Sequence, residues 1–465
     1  MIFLIQRKKD FTEGGIVAPM IAFSLPLIIS GVLQQLYSVA DNVIVGKFSG
    51  DPLALAAVGT TGSVSNLFLN FLTGIAAGSS VLVAQSLGAK DDRTVERTVH
   101  TAMTVSLIMG IAMGIVGFFF SGQIMVWIGT PDELLERATL YLKIIFLGVP
   151  AVSLYNFSSA ILRAAGDSKT SLYALSGSGI INVILNVFFV LVCRMTVDGV
   201  AVATVISQYL SAAFTVALLI KRRSEVYALN LRRLRIDAPI LRRILRLGIP
   251  SGVQSSMFSL SNLAVTAAVN QLSTVAISAR AVFINLICIP NAASAAFTTT
   301  AMTFSGQNFG ARKPKRVARS CVSAVIQSFV VIFIMSMALL VFIRPLSSLY
   351  IADDDQAKGE VLRIIGETAA LIMPLYALSG VLNAVAGTLR GMGVSVTNMV
   401  VSIIGVCGFR ILWVFTAFGH PALHNLPGVY LSWPISWTIV IVLLTGFLIY
   451  HIGKLKKSVE AEEKK

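Results

Sequence analysis

Long apolar runs broken by short polar stretches fill this chain from end to end. Residues 102–120, 180–193 with their flanks, 322–343 and 435–450 are examples. Each approaches the roughly 20 residues that carry a helix across a bilayer. The pattern predicts an all-α membrane protein with twelve transmembrane helices. They are placed near 16–40, 53–83, 98–120, 137–160, 170–193, 199–220, 240–270, 279–306, 320–343, 361–387, 394–417 and 429–450. The polar breaks are too short for an extramembranous domain. The leading apolar residues 1–5 are too few for a signal-peptide core and run straight into Arg7, Lys8 and Lys9. Insertion is therefore expected to rely on the first span.

The pattern also repeats once. Ser24-Leu25-Pro26 returns as Gly248-Ile249-Pro250, and Gln85-Ser86-Leu87-Gly88-Ala89 as Gln307-Asn308-Phe309-Gly310-Ala311. Pro150 returns as Pro374, Leu162-Arg163-Ala164-Ala165-Gly166 as Leu389-Arg390-Gly391-Met392-Gly393, and Gly199-Val200 as Gly428-Val429. Six spans per half is an even number, so both halves keep one orientation and are related by an axis along the membrane normal. The expected organisation is an N-lobe at 1–220, a basic linker at 221–247, a C-lobe at 248–451 and a charged tail at 452–465. Apolar and basic residues at helical spacing in the linker suggest an interfacial helix on an anionic leaflet.

Composition strengthens the membrane reading and removes others. The 465 residues are 55% hydrophobic and 13% charged, with a mean hydropathy of +0.81, about half the charge of a soluble protein. The net charge of +15 is topological. With the N-terminus inside, 28 of the 37 Lys and Arg fall at cytoplasmic segments and seven outside, a positive-inside bias. This excludes nucleic acid as the partner and places both termini in the cytoplasm. Cys193, Cys288, Cys321 and Cys407 have no metal or redox spacing and read as apolar packers. His420 and His424 are separated by Pro421 in an outer loop, so they make a poor metal pair. Thr130-Pro131-Asp132-Glu133 reads as a helix start with a Thr cap, and Asp353-Asp354-Asp355 would serve the same end in the second half. No phosphate-binding loop, hydrolase elbow or zinc-protease spacing occurs, so no enzyme and no cofactor is expected.

Charged groups inside spans cost roughly 2.5–3.5 kcal/mol each on insertion scales and so point to function. Asp41 stands about 37 Å along the first helix from Ile16, in the outer part of the bilayer, with Tyr37 one turn earlier on the same face. Asn182 and Asn186 stand one turn apart on the fifth span, as Asn66 and Asn70 do on the second. A carboxylate with amide, hydroxyl or carbonyl oxygens suits a small hard cation or a proton relay, while amides also glue helices together. Pro26 and Pro250 interrupt their spans, and Pro26 is a candidate gate. Arg163 and Arg390 read as anchors at the cytoplasmic face. Arg410, Arg280 and Glu367 form the candidate polar cluster of the C-lobe. Arg410 is the repeat counterpart of Asn182, and Glu367 is its expected partner, in an ion pair that locks the lobe. The other reading makes Arg410 a positive wall of the substrate cavity.

Taken in order, these residues resemble the multidrug and toxic compound extrusion (MATE) family across nearly the whole chain. The motifs are Leu25-Pro26, Tyr37-Ser38-Val39-Ala40-Asp41-Asn42 with Val45-Gly46-Lys47-Phe48, Ala84 to Ala89, Ser305 to Ala311, and the two Leu-Arg-x-x-Gly turns. The resemblance implies two six-helix lobes forming a V, with alternating access driven by Na+ or H+. It implies a cation site around Asp41, with Tyr37, Asn182, Asn186 and Thr204 in its network; many relatives carry an Asp where this chain has Asn186. Acids that some members place on the seventh and tenth spans are missing from Gln254-Ser255-Ser256-Met257 and Tyr376-Ala377-Leu378-Ser379. The expected function is a monomeric multi-pass antiporter of the cell membrane. It would exchange external sodium or protons for internal organic solutes while in contact with membrane lipids. A lipid-linked saccharide flippase of the same superfamily is the alternative, and an ion channel is the alternative from another class.

Overall fold

A computed structural model of the chain describes residues 10–48, 53–351 and 357–463; Asp353, Asp354 and Asp355 lie outside the described residues. Among the described residues every regular element is helical. A chain this apolar has little choice, because backbone N–H and C=O groups in lipid must be satisfied within their own segment. The elements are α1 (Val17–Phe48), α2 (Ala54–Gly88), α3 (Asp92–Trp127), α4 (Asp132–Ala164), α5 (Lys169–Val187), α6 (Val197–Lys221), α7 (Ala238–Val269) and α8 (Thr274–Gly310). They continue as α9 (Pro314–Val341), α10 (Ile343–Ser348), α11 (Lys358–Ile372), α12 (Ala377–Gly391), α13 (Ser395–Ser402), α14 (Phe409–Phe415), α15 (Leu426–Tyr430) and α16 (Ser432–Glu463). Among the described residues ten helices are long and apolar enough to cross a membrane, and the pair α11–α12, bent by 41° near Pro374, makes an eleventh if it is one span. The twelfth expected span is α7, which has the length; Gln254, Ser255, Ser256, Ser259, Ser261 and Asn262 lower its hydropathy.

The repeat seen in the sequence is also a repeat of backbone conformation. After α4, Gly166 has φ +89°, with Asp167 N–H donating to Leu162 C=O and Gly166 N–H to Arg163 C=O. After α12, Gly393 has φ +85°, with Val394 and Gly393 donating to Leu389 and Arg390. These are paired Schellman caps, in which a left-handed residue satisfies the last carbonyls of a helix. The ends of α2 and α8 form a second pair, with Lys90 at φ 57° and Arg312 at φ 55°. Here the glycine sits two residues early and a basic residue takes the left-handed position, at a cost of about 1–2 kcal/mol.

Contacts divide the chain into two compact units, Val32–Gly252 and Phe11–Gly31 with Val253 onward. The division falls inside α1 and α7, so each long helix gives one part to each unit. In the first unit Gly74 and Gly78 of α2 meet Gly252 and Gly248 of α7. A Cβ on Gly74 would sit 2.2 Å from the Gly252 backbone, and one on Gly78 2.4 Å from Ile244 C=O. Small residues let the backbones touch, as in membrane helix pairs generally. In the second unit Gly387 and Gly391 of α12 approach Thr298 and Met302 of α8 in the same way.

The linker differs from the expected interfacial helix. Residues 222–237 are turns with one 3-10 turn at Leu231–Arg233, and only from Ala238 is the segment helical, as the start of α7. Its apolar residues Ile240 and Ile244 are fully packed among Ile75, Leu82, Val95 and Val99. The periodicity thus marked a face packed on protein. Asp237 caps α7 by accepting from Ile240 N–H, and Arg97 donates to its carboxylate at 2.7 Å. The Arg97 bond, with the Ile240 N–H adding to it against some desolvation, holds the Asp237 carboxyl below its usual range. At the other start, Phe11 N–H donates to Gln307 Oε1, Asn308 to Phe11 C=O and Lys313 to Thr12 C=O. The repeated turn motif after α8 therefore binds the segment that leads into α1. Likewise Thr130 does not cap α4: its hydroxyl faces the Met125 sulfur, while Asp132 and Glu133 do occupy the first turn.

A buried ion pair closes the base of the first unit. Arg222 donates to Asp167 at 2.5 Å, to Tyr227 at 3.0 Å and to Thr170 at 3.4 Å, and Asp167 accepts from Thr170 N–H at the start of α5. The side chains of Arg222 and Asp167 are 4% and 5% exposed. Breaking one partner strands the other, which costs about 3–5 kcal/mol. Arg312–Glu462, more than half exposed on both sides, is worth about 0–1 kcal/mol. Thermal unfolding of the purified protein is expected to show a large loss for Asp167→Ala and almost none for Glu462→Gln. Equal losses would contradict the assignment.

Candidate functional site

The first unit brings the sequence-predicted cation residues together. Asn186 Nδ2 donates to Asp41 Oδ1 at 2.5 Å and to Asn182 Oδ1 at 3.3 Å, and Asn182 Nδ2 reaches Thr204 Oγ1 at 3.5 Å. Helical spacing puts Asn182 and Asn186 on one face of α5. α6 supplies Thr204, whose hydroxyl donates to Val200 C=O at 2.9 Å. Asn186 is fully buried and Asn182 nearly so. The amide of Asn186 spends both donors on neighbours, leaving its own Oδ1 buried with no hydrogen-bond partner. The arrangement gathers a carboxylate, a free amide oxygen and a hydroxyl within apolar helices, which is donor chemistry for a hard cation or a proton.

Tyr37 joins this network by packing. Its ring lies where a side chain on Gly179 would be, 1.9 Å from an ideal Cβ, and its hydroxyl donates to Ser176 C=O at 3.3 Å. It does not bond to Asp41. Gly179 was not singled out in the sequence, since a glycine in an apolar span carries no signal until its neighbour is known. Tyr141 of α4, near enough to Asp41 to feel its charge, was also missed, because an aromatic residue in an apolar span reads as ordinary packing. Directly after Asn186 the helix widens into a π segment, Phe188–Val192, a feature that often marks functional sites. Pro26 lies inside α1, and Ser30 Oγ donates to its carbonyl at 2.7 Å. Asn66 and Asn70 stay on α2, outside the Asp41 hydrogen bonds just described.

The C-terminal polar cluster departs from expectation. Glu367 does not pair with Arg410: it accepts from Arg363 one turn away at 2.7 Å, and both are more than half exposed. The local i,i+4 pair forms without any long-range constraint and so leaves Arg410 to other partners. Arg410 is buried, lies 5.1 Å over the Trp433 ring and reaches Asn262 Oδ1 at 3.5 Å. Arg280 donates to Thr266 Oγ1 at 2.5 Å. On α7, Gln254 Oε1 accepts from Arg390 at 2.8 Å and from Asn398 at 3.1 Å. His420 and His424 bond to nearby backbone groups, and no cluster of metal-ligating side chains occurs among the described residues.

Solved transporters share this architecture. The outward-facing conformation of a multidrug resistance MATE family transporter superimposes with a TM-score of 0.87 at 20% identity, covering 97% of this chain and 100% of that chain. MATE in the bent conformation superimposes with 0.82, covering 97% and 99%. The fold is thus that of a MATE-type membrane transporter. The MatE family model matches residues 26–188 and 250–416, one match in each half, and the chain belongs to the MATE family. It is 27% identical over 450 residues to the probable multidrug resistance protein YoeA of Bacillus subtilis, covering 96% of this chain and 95% of that one. It is 24% identical over 453 residues to the multidrug export protein MepA of Staphylococcus aureus, covering 97% of each.

The two departures have measurable consequences. Glu367→Gln is expected to change stability by less than about 0.5 kcal/mol, as for exposed helix pairs. Gly179→Ala, which drives a methyl into the Tyr37 ring, is expected to cost about 1–3 kcal/mol. Scanning fluorimetry on the purified variants separates them, and a loss for Glu367→Gln as large as that for Gly179→Ala would reinstate the long-range pair.

Proposed function

We propose that this chain is a secondary active efflux transporter of the cell membrane, exchanging external sodium or protons for internal organic solutes by alternating access. The observation that carries the reading is the Asp41–Asn186–Asn182–Thr204 chain, with a buried amide oxygen left free beside the carboxylate. Asp41 is the coupling carboxylate. Asn186 holds it in place and offers Oδ1, while Asn182 and Thr204 complete the donor set. Tyr37 fixes the face of α1 against α5, and Pro26 supplies the bend that lets α1 move. The proton or cation binds at the Asp41 carboxylate. Binding removes its charge and changes which conformation is favoured, and a ligand shifts an equilibrium only through such a difference. The names of YoeA and MepA support organic drugs as solutes. The chain is read as a monomer in contact with lipid, as a transporter and not an enzyme, with both termini and residues 221–247 in the cytoplasm.

Purified protein in liposomes, assayed with a panel of fluorescent organic dyes of either charge under separate sodium and pH gradients, tests coupling. Asp41→Asn keeps the shape and removes the ionisable group, so gradient-driven dye movement is expected to fall at least ten-fold while the protein remains monodisperse. Undiminished transport would remove Asp41 from the mechanism. Orientation is checked at Ser224→Cys, which is expected to react with an impermeant thiol reagent only after the cells are opened. Labelling from outside intact cells would overturn the topology.

A further inference from the structure

We propose that Arg410 and Arg280, with Asn262, Tyr430 and Trp433, form an oxyanion-binding site within the second unit, taking the carboxylate or phosphate group of an organic solute. The argument begins with charge. From residue 253 to 352 the sequence has no Asp or Glu, and from 368 to 459 it again has none. Of the acids between, Glu360 and Glu367 both face Arg363 at an exposed position. Arg410 and Arg280 therefore have no carboxylate partner among the described residues. Guanidinium stays charged in proteins, and an uncompensated charge inside a membrane helix bundle is strongly unfavourable.

The surroundings supply donors in excess. Arg410 and Arg280 both lie within electrostatic range of the fully buried Tyr430, with the Tyr430 hydroxyl beside Arg280. Nε of Arg410, a side chain 7% exposed, is buried without a hydrogen-bond partner, as are Nε of Arg280 and Nε1 of Trp433. Three N–H donors from three elements thus remain unmet around two positive charges. The acceptors the arginines do have, Asn262 Oδ1 and Thr266 Oγ1, are neutral and one turn apart on α7. An arginine fork matches carboxylate and phosphate oxygens two at a time, so an oxyanion satisfies both the missing charge and the missing acceptors.

Local structure fits the role. A π segment, Ile403–Gly408, ends two residues before Arg410 and re-aims that turn of the helix. Trp433 meets Tyr430 edge-on at 4.7 Å and Tyr376 at 6.5 Å, and Tyr376 meets Trp437 at 5.4 Å. Such an aromatic wall suits the apolar body of an amphiphilic solute. Arg280 itself is only partly buried. The inference deepens the efflux reading by naming a class of solute, but binding at equilibrium needs no gradient and is measured separately.

Isothermal titration of the full-length protein in detergent, with sodium benzoate and with sodium phosphate against a fixed chloride background, tests it. Saturable binding of at least one is expected, weakened ten-fold or more (about 1.4 kcal/mol) by Arg410→Gln and by Arg280→Gln. Arg410→Lys, which keeps the charge without the fork, is expected to fall between. Should Arg410→Gln fail to purify as a monodisperse species, Arg280→Gln alone decides, because Arg280 is not part of the buried packing on Trp433. Loss of benzoate binding on adding phosphatidylglycerol would assign the same site to a lipid phosphate. No saturable binding of either probe, or equal affinity in the wild type and both Gln variants, would overturn the proposal. A failed titration leaves cation coupling untouched, and a failed transport assay leaves the titration untouched.

Discussion

The cost of placing a polar or charged group in hydrocarbon orders most of what is seen here. Each such group must face protein and find a partner there, at roughly 2.5–3.5 kcal/mol for a carboxylate or guanidinium left in mid-span. Asp41 meets this demand through Asn186, and Asn186 through Asn182. At the base of the same unit Arg222 and Asp167 meet it through each other. In the second unit Arg390 leans on Gln254, while Arg410 has only an aromatic ring and a distant amide oxygen. The two units share a set of turns, but the first sets Asp41 inside a span with an amide partner, whereas the second sets Arg410 inside a span with no carboxylate partner among the described residues.

That asymmetry gives the repeat a functional meaning. Asn182 and Arg410 occupy corresponding positions of the two halves, near a π segment in each case. The repeated turns fix the backbone, whereas single residues set the chemistry of each half separately. In the proposed division of labour, the first unit handles the cation and the second offers positive charge to a solute.

The helices, the repeat and its turns were legible because they depend on local chemistry. Apolar length demands a helix, and Leu-Arg-x-x-Gly ends in a glycine whose positive φ closes the helix. Asp41, Asn182 and Asn186 were legible because a polar residue in an apolar span is conspicuous and one-turn spacing fixes its face, whereas Thr204 was reached only through the family resemblance. The position of Tyr37 was not, since the hole it fills is made by the absence of a side chain at Gly179. The partner of Arg410 was misjudged because Glu367 is the nearest acid in sequence, yet Arg363, four residues before it, competes at no entropic disadvantage. The linker was misjudged because an apolar stripe looks the same whether lipid or Ile75 and Val95 cover it.

The central claim is that a carboxylate held against the fifth span by hydrogen bonds couples cation entry to solute exit. Exchanging the two partners tests it most directly. Asp41→Asn with Asn186→Asp moves the carboxylate across one 2.5 Å contact and keeps the network's composition. Initial rates of gradient-driven dye transport in liposomes are expected to recover in this double variant to well above the Asp41→Asn level. Rates no higher than those of Asp41→Asn, in protein that remains folded, would contradict a shared site.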